Sequence, residues 1–170
     1  MTINDEPVIG REIDDSASEN ARQPLEAKIR HLLTTQSYGV LCTHGEHHAY
    51  GSLVAFAVSD DLTKAVFATP VSTRKYRLLT EHDGVALVVD DRPDFPDDMM
   101  RVGALTATGI AREVQPGAER EQWAARLVAR NPGLEAFVAA ASCALFTIEI
   151  ARVLFVTRFQ EVDQWVPGST

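Results

Sequence analysis

Between residues 37 and 91 four β-prone runs follow one another with a single helical interval among them, and that order excludes most architectures. SYGVLCTH and AYGSLVAFAVS are separated only by the turn GEHH, and AYGSLVAFAVS and AVFATP only by SDDLTK. Connections this short join antiparallel neighbours, because a parallel return needs a crossover of about a dozen residues or more. The fourth run, GVALVVDD, is almost uninterrupted Val and Leu, which predicts a strand buried on both faces.

The rest of the chain supports the same class. PLEAKIRHLLTTQ places Leu25, Ile29, Leu32 and Leu33 at helical spacing behind Pro24, which suits a first helical turn. A second helix is expected over residues 73–82, and RPDFPDD is a Pro/Asp loop. RVGALTATGIAREV reads as a strand with Gly103 and Gly109 as candidate bulges or points of close approach. PGAEREQWAARLVARNP is a helix with Trp123, Leu127 and Val128 as its apolar stripe. ALFTIEIARVLFVTRF and QEVDQWV close the chain as strands. Six or seven strands and three helices do not alternate strictly, so a doubly wound parallel sheet is disfavoured. The expected fold is mainly β with helices, an antiparallel barrel decorated by helices.

Charge bounds the function. The chain has 170 residues, a formal charge of −8 and a pI near 5.0, against the basic face that a nucleic-acid binder needs. Residues 1–20 carry six acids against Arg11 alone and read as a solvated tail, which leaves 21–170 as the folded domain. Cys42 and Cys143 sit in apolar runs and are expected as reduced core thiols. No basic segment followed by an apolar one opens the chain, and no apolar stretch reaches membrane-spanning length, so a cytoplasmic protein without a membrane partner is expected.

Three stretches carry polar groups dense enough to weigh as sites. His44, Glu46, His47 and His48 lie in a turn, where adjacent side chains diverge, and their spacing fits no zinc pattern. Asp90, Asp91, Asp94, Asp97 and Asp98 lack the ligand order of a calcium loop. Neither is taken as a metal site. The third stretch, ATPVSTRKY, puts Thr69, Ser72, Thr73, Arg74 and Lys75 where a strand passes into a helix. A helix start offers unpaired N–H groups and the positive end of its dipole to a phosphate. An ordinary N-cap with surface cations explains the same residues. Two cations in a first turn oppose the dipole, where acids are normally favoured.

With its neighbours, YGSLVAFAVSDDLTKAVFATPVSTRKYRLLTEHDGVALVVDD resembles the flavin-binding core of the pyridoxamine 5′-phosphate oxidase-like family, the FMN-binding split barrels. The resemblance covers residues 24–166: strand, hairpin, strand ending in Thr69, an Arg-Lys pair opening a helix, and a following apolar strand. It implies a split β-barrel homodimer with FMN between the subunits. Arg74 and Lys75 would grip the FMN phosphate with Thr73 beside them, Ala68 and Thr69 would touch the flavin, and Ser52, Leu53 and Val54 would lie along its ring. Small residues on that strand, Gly51, Ser52, Ala55 and Ala57, leave room for a flat ring.

The expected activity is a flavin-dependent oxidoreduction of a small molecule. The alternatives are a flavin or haem carrier without turnover, or a reductase using the deazaflavin F420. No catalytic acid or base is assigned, and His48 and Tyr50, near the proposed flavin strand, are expected in structural roles. True pyridoxamine phosphate oxidases carry a basic segment after a C-terminal tryptophan and a glutamine near the position of Ala104. Here Trp165 is followed by VPGST, so vitamin B6 oxidation is not expected. Split barrels linked to haem use also have a YGSLV-like strand and continue into a further C-terminal domain; this chain is expected to lie nearer that branch.

Overall fold

A single hydrogen-bonded sheet closes on itself. The computed structural model describes residues 19–157 and 161–168. Its elements are α1 (Glu19–Thr35), β1 (Tyr38–His44), β2 (Ala49–Val58), β3 (Lys64–Pro70), α2 (Arg74–Glu81), β4 (Gly84–Asp90), β5 (Ala104–Glu113), α3 (Ala118–Arg130), α4 (Glu135–Ala139), β6 (Cys143–Thr157) and β7 (Glu161–Trp165). The strands run in the order β3-β2-β1-β4-β5-β6-β7, and β6 also pairs with β3, which makes β1–β6 a closed antiparallel barrel. This is the split barrel, mainly β with helices, that the sequence implies. The tail read over residues 1–20 lies outside the described residues, except that α1 begins at Glu19. Pro24 therefore stands inside α1 rather than at its first turn.

The long strand β6 makes closure possible. Its first half pairs with β3, from Pro70↔Cys143 to Lys64↔Glu149, and its last residues pair with β7, from Val153↔Trp165 to Thr157↔Glu161. The exchange of partners falls beside a register shift between Thr108 and Gly109 of β5. A Cβ at Gly109 would lie 2.1 Å from the Glu149 carbonyl oxygen, so only glycine lets β5 pass the bend. Gly103, the other predicted close-approach point, has ordinary space around it, and its N–H donates to the Asp91 carboxylate at 2.7 Å.

Alternation sorts the side chains. Leu41, Leu87, Ala107 and Val153 are cross-strand partners and point inward, joining Phe56, Phe67, Phe146 and Ile148 in the barrel core. Ile29, Leu32 and Leu33 of α1 pack into the same core, and each such burial contributes about 1.5–3 kcal/mol. A second cluster lies outside the barrel, where Leu127 of α3 and Val138 of α4 cover Ala57, Val66 and Leu145.

The prediction for GVALVVDD fails on one face. Val85, Leu87 and Val89 are buried, but Gly84, Ala86, Val88 and Asp90 are half-exposed. On the outer wall of β1, β4 and β5 the helices leave the sheet uncovered. There Leu53, Val40, Val88 and Thr106 form one cross-strand row, and Leu53 and Tyr38 are 68% and 60% exposed. The segment 92–101 contains 3-10 turns at Arg92–Asp94 and Met99–Arg101 rather than plain loop, and α4 adds a fourth helix.

The β2–β3 hairpin is held by Asp61. Its carboxylate accepts from Ser59 Oγ (2.6 Å), Thr63 N (3.0 Å) and Thr63 Oγ1 (2.8 Å), which lowers its pKa from 3.8 to about 2. A carboxyl lowered in the folded state stabilises fully above its unfolded pKa and ceases to do so as pH falls through its folded one. Leu62 beside it takes φ 58° with its side chain fully buried. Among the described residues no helix is long and apolar enough to cross a membrane.

Gly109→Ala is expected to destabilise the fold by about 1–3 kcal/mol or more, the range for forced overpacking. Gly133→Ala, at a site with nothing within 4 Å of the new Cβ, is expected to stay within about 0.5 kcal/mol of the parent. Urea unfolding of both variants checks this, and equal stability would show that the bulge tolerates a side chain.

Candidate functional site

α2 starts on a cap that its own strand prepares. Thr73, with φ −85° and ψ 155°, is the N-cap, and its hydroxyl accepts from the Tyr76 N–H at 3.2 Å. The same hydroxyl donates to the Pro70 carbonyl at 2.8 Å. Its one proton is then spent, so at the 2.9 Å contact with Thr69 Oγ1 it is Thr69 that donates. Thr69 is almost fully buried at the end of β3, and this bond satisfies it. Both hydroxyls thus hold the strand-to-helix turn together rather than pointing free donors outward. Ser72 remains exposed.

The first turn carries no acid, and Arg74 and Lys75 occupy its first two positions. By helix geometry their N–H groups have no intrahelical acceptor. Their side chains leave the helix about 100° apart, so they stand on different faces of the first turn. Lys75 is half-buried, and burial pushes its ammonium pKa below 10.5. Among the described residues no carboxylate pairs with it. Arg74 folds back toward the barrel mouth: its Nη2 meets His48 Nε2 at 2.5 Å, and its guanidinium lies 5.0 Å from the centre of the Tyr50 ring.

A cleft of about 400 Å³ opens here, lined by Val71, Ser72, Thr73, Arg74 and Arg77. Arg77 is not among the residues that the sequence singles out for the site. Its signal is the spacing in RKYR, which puts it one turn beyond Arg74 on the same helical face. Tyr76 anchors the helix from the other side, with its ring edge-on to Phe146 at 5.9 Å and its hydroxyl donating to Glu113 at 3.1 Å.

The strand residues divide by face. Tyr50, Ser52 and Val54 share the inner face of β2, while Leu53 points outward onto the uncovered wall. Val54 is buried in the core, and Ser52 Oγ is buried without a hydrogen-bond partner. Ala68 packs beneath α3 and α4, opposite in sense to Thr69. The chain therefore brings Thr69, Thr73 and Arg74 to the start of α2, with Lys75 next in the helix but outside the cleft lining, and Ser52 lies two residues along the strand from Tyr50. It does not bring the side chains of Leu53 and Ala68 to the same place.

The other polar clusters are occupied locally. His44 stacks on His82 at 4.7 Å between ring centres, and Glu46 lies 3.8 Å from His47. Asp90 pairs with Arg92 at 2.6 Å, Asp98 caps the Met100 N–H, and Asp94 accepts from Gln36. Among the described residues no group of three His, Cys, Asp or Glu is placed to hold a metal. Cys42 and Cys143 are free thiols, and burial pushes the Cys143 thiol up. A second cleft, of about 430 Å³ between β3, β5 and the start of α3, mixes Lys64 and Arg112 with Glu113, Glu119 and Glu149.

A family profile described as pyridoxamine 5′-phosphate oxidase matches residues 25–165. No curated protein matches the chain. Among solved structures, a haem-binding protein from Mycobacterium smegmatis superposes with a TM-score of 0.72 at 16% identity, over 81% of this chain and 55% of that one. This chain thus spans just over half the length of that protein. HutZ, a haem storage protein from Vibrio cholerae, gives 0.66 at 16% identity, over 85% of this chain and 95% of that one. An FAD-binding protein from Mesorhizobium loti gives 0.61 at 16% identity, over 76% and 91%. At such identities the likeness establishes the fold.

Two outcomes follow from the cap and the lysine. Thr73→Ala should cost about 1–2 kcal/mol, since it removes the cap and orphans the buried Thr69 hydroxyl, and Thr73→Ser should recover most of it. Lys75→Met should leave the melting temperature unchanged or raise it. A base whose pKa is lowered on folding opposes folding while it is charged, and this effect disappears as pH rises from its folded to its unfolded pKa. Thermal melts of the three variants test both; a marked loss of stability in Lys75→Met would mean that the ammonium has a stabilising partner within the chain.

Proposed function

The chain belongs to the pyridoxamine 5′-phosphate oxidase family, and from that premise we propose that it is a flavoprotein holding FMN by its phosphate at the start of α2. The observation that carries this reading is Lys75, a half-buried ammonium without a carboxylate partner among the described residues, in a helical first turn that contains no acid. Burying such a charge is unfavourable unless an anion compensates it. A phosphate ahead of the first turn would accept from the N–H groups of Arg74 and Lys75, from both cationic side chains and from the exposed Ser72 hydroxyl. The unpartnered Ser52 Oγ offers one further donor on the inner face of β2.

Bound FMN would supply the hydride and electron chemistry. The chain's own residues would bind and orient it, and none of them is assigned a proton-transfer role. The favoured activity is oxidoreduction of a small molecule, in keeping with a family described by an oxidase. The solved structures described as haem-binding and haem storage proteins favour a second reading, a carrier without turnover. A reductase using F420 would need the same anion site. The two free thiols suit a reducing compartment such as the cytoplasm.

The uncovered barrel wall supports a homodimer. An apolar strand such as β4 buries only one face within a single chain, Leu53 and Tyr38 stand exposed on that wall, and Met99 and Met100 are exposed in the segment between β4 and β5. A second copy on this wall would cover them and bring its own residues toward the cofactor.

Titration of the apoprotein with FMN, riboflavin, haem and F420 tests the cofactor. Tight FMN with weak riboflavin is expected, and Arg74→Ala combined with Lys75→Ala should weaken FMN by about 2–5 kcal/mol. Equal affinity for FMN and riboflavin would refute the phosphate anchor. Reduction of the bound flavin by NADH or NADPH supports turnover, and tight haem binding without flavin binding supports the carrier. Sedimentation should give a dimer that Val88→Asp converts to a folded monomer; a monomeric parent would remove the dimer from the proposal.

A further inference from the structure

We infer that His48 is a positioning residue, which holds Arg74 out for a phosphate and thereby sets the preference for phosphorylated over unphosphorylated ligand; the inference rests on the proposed FMN site. The guanidinium is always charged and only donates. At the 2.5 Å contact, His48 Nε2 must therefore accept, which places the imidazole proton on Nδ1 and leaves the ring neutral. Arg74 is thus held by a neutral acceptor. A carboxylate in that place would fix the side chain equally well but would cancel its charge. Held by imidazole over the face of Tyr50, Arg74 keeps its full charge and most of its five donors for an incoming anion.

The surroundings fit this division of labour. Glu46, the nearest acid in sequence, is exposed and lies 3.8 Å from His47 rather than at Arg74. The turn is closed by the Gly45 N–H donating to the His48 carbonyl at 2.9 Å, which fixes the backbone that carries the imidazole. A Cβ at Gly45 would come within 3.4 Å of Leu78 and 3.6 Å of the His48 ring, so the turn is packed against α2. An arginine on an open surface loses rotamer freedom when it binds; one already held loses less, and the difference appears as affinity.

The test is binding of FMN and of riboflavin to the full chain and to His48→Ala, His48→Gln and His48→Glu. His48→Ala should weaken FMN by up to about tenfold, the cost of ordering one long side chain on binding, and leave riboflavin unchanged. His48→Gln supplies a neutral acceptor and should stay within about threefold of the parent, whereas His48→Glu should be no better than His48→Ala. The inference is overturned if His48→Ala binds FMN as the parent does. It is also overturned if that variant loses FMN and riboflavin equally, which would be a structural role. A parent that does not prefer FMN to riboflavin overturns the phosphate reading itself, and this inference with it.

Discussion

Closure of the sheet through β3 and β6 is the interaction on which everything else depends. Seven cross-strand pairs, from Lys64↔Glu149 to Pro70↔Cys143, turn an open meander into a barrel. Closure requires β6 to serve β3 first and β7 afterwards, and β5 must bend where the exchange occurs. The bulge at Thr108/Gly109 supplies the bend, and the missing side chain of Gly109 supplies the room. β2 pairs with β3 from Ala65 to Phe67, and β6 alone continues the pairing to Pro70, so closure on β6 fixes the last residues of β3. Thr69 is then a rigid donor from which the cap of α2 is built.

That rigidity has a purpose in electrostatic terms. The start of α2 gathers two cations, free N–H groups and a helix dipole of the same sign, with no acid in the first turn. Thr73 spends its hydroxyl entirely within the turn, so the helix start is held by neutral hydrogen bonds and not by a compensating carboxylate. Arg74 likewise meets neutral groups rather than a carboxylate, His48 Nε2 and the face of the Tyr50 ring. The arrangement leaves positive charge without a carboxylate partner among the described residues, and the proposed anion site rests on that.

The barrel wall tells a related story about burial. Helices α3 and α4 cover Ala57 of β2, Val66 of β3 and Leu145 of β6, while Leu53 of β2, Val40 of β1 and Val88 of β4 face the uncovered wall. A single-sequence reading counts apolar residues and concludes that GVALVVDD is buried on both faces. The chain alone buries one. The other face, with Gly84, Ala86, Val88 and Asp90, stays half-exposed, and the proposed homodimer would cover it.

Short connections, strand alternation and the hydroxyl-cation cluster before a helical pattern are local facts. They determined the antiparallel class, most elements, a helix start near Thr73 and the suspicion of an anion at Arg74 and Lys75. Other features depend on contacts between residues far apart in the chain, which no local pattern encodes. Only the tertiary structure decided that β6 returns to β3 across the sequence, that Leu53 and Ala68 turn away from the residues beside them, and that Arg77 joins the cleft. It alone placed His48, from a turn that reads as solvent-exposed polar residues, against an arginine that follows it by a strand, a hairpin and a second strand. Alternation fixes which neighbours share a face, but closure of the barrel fixes which face looks toward the site.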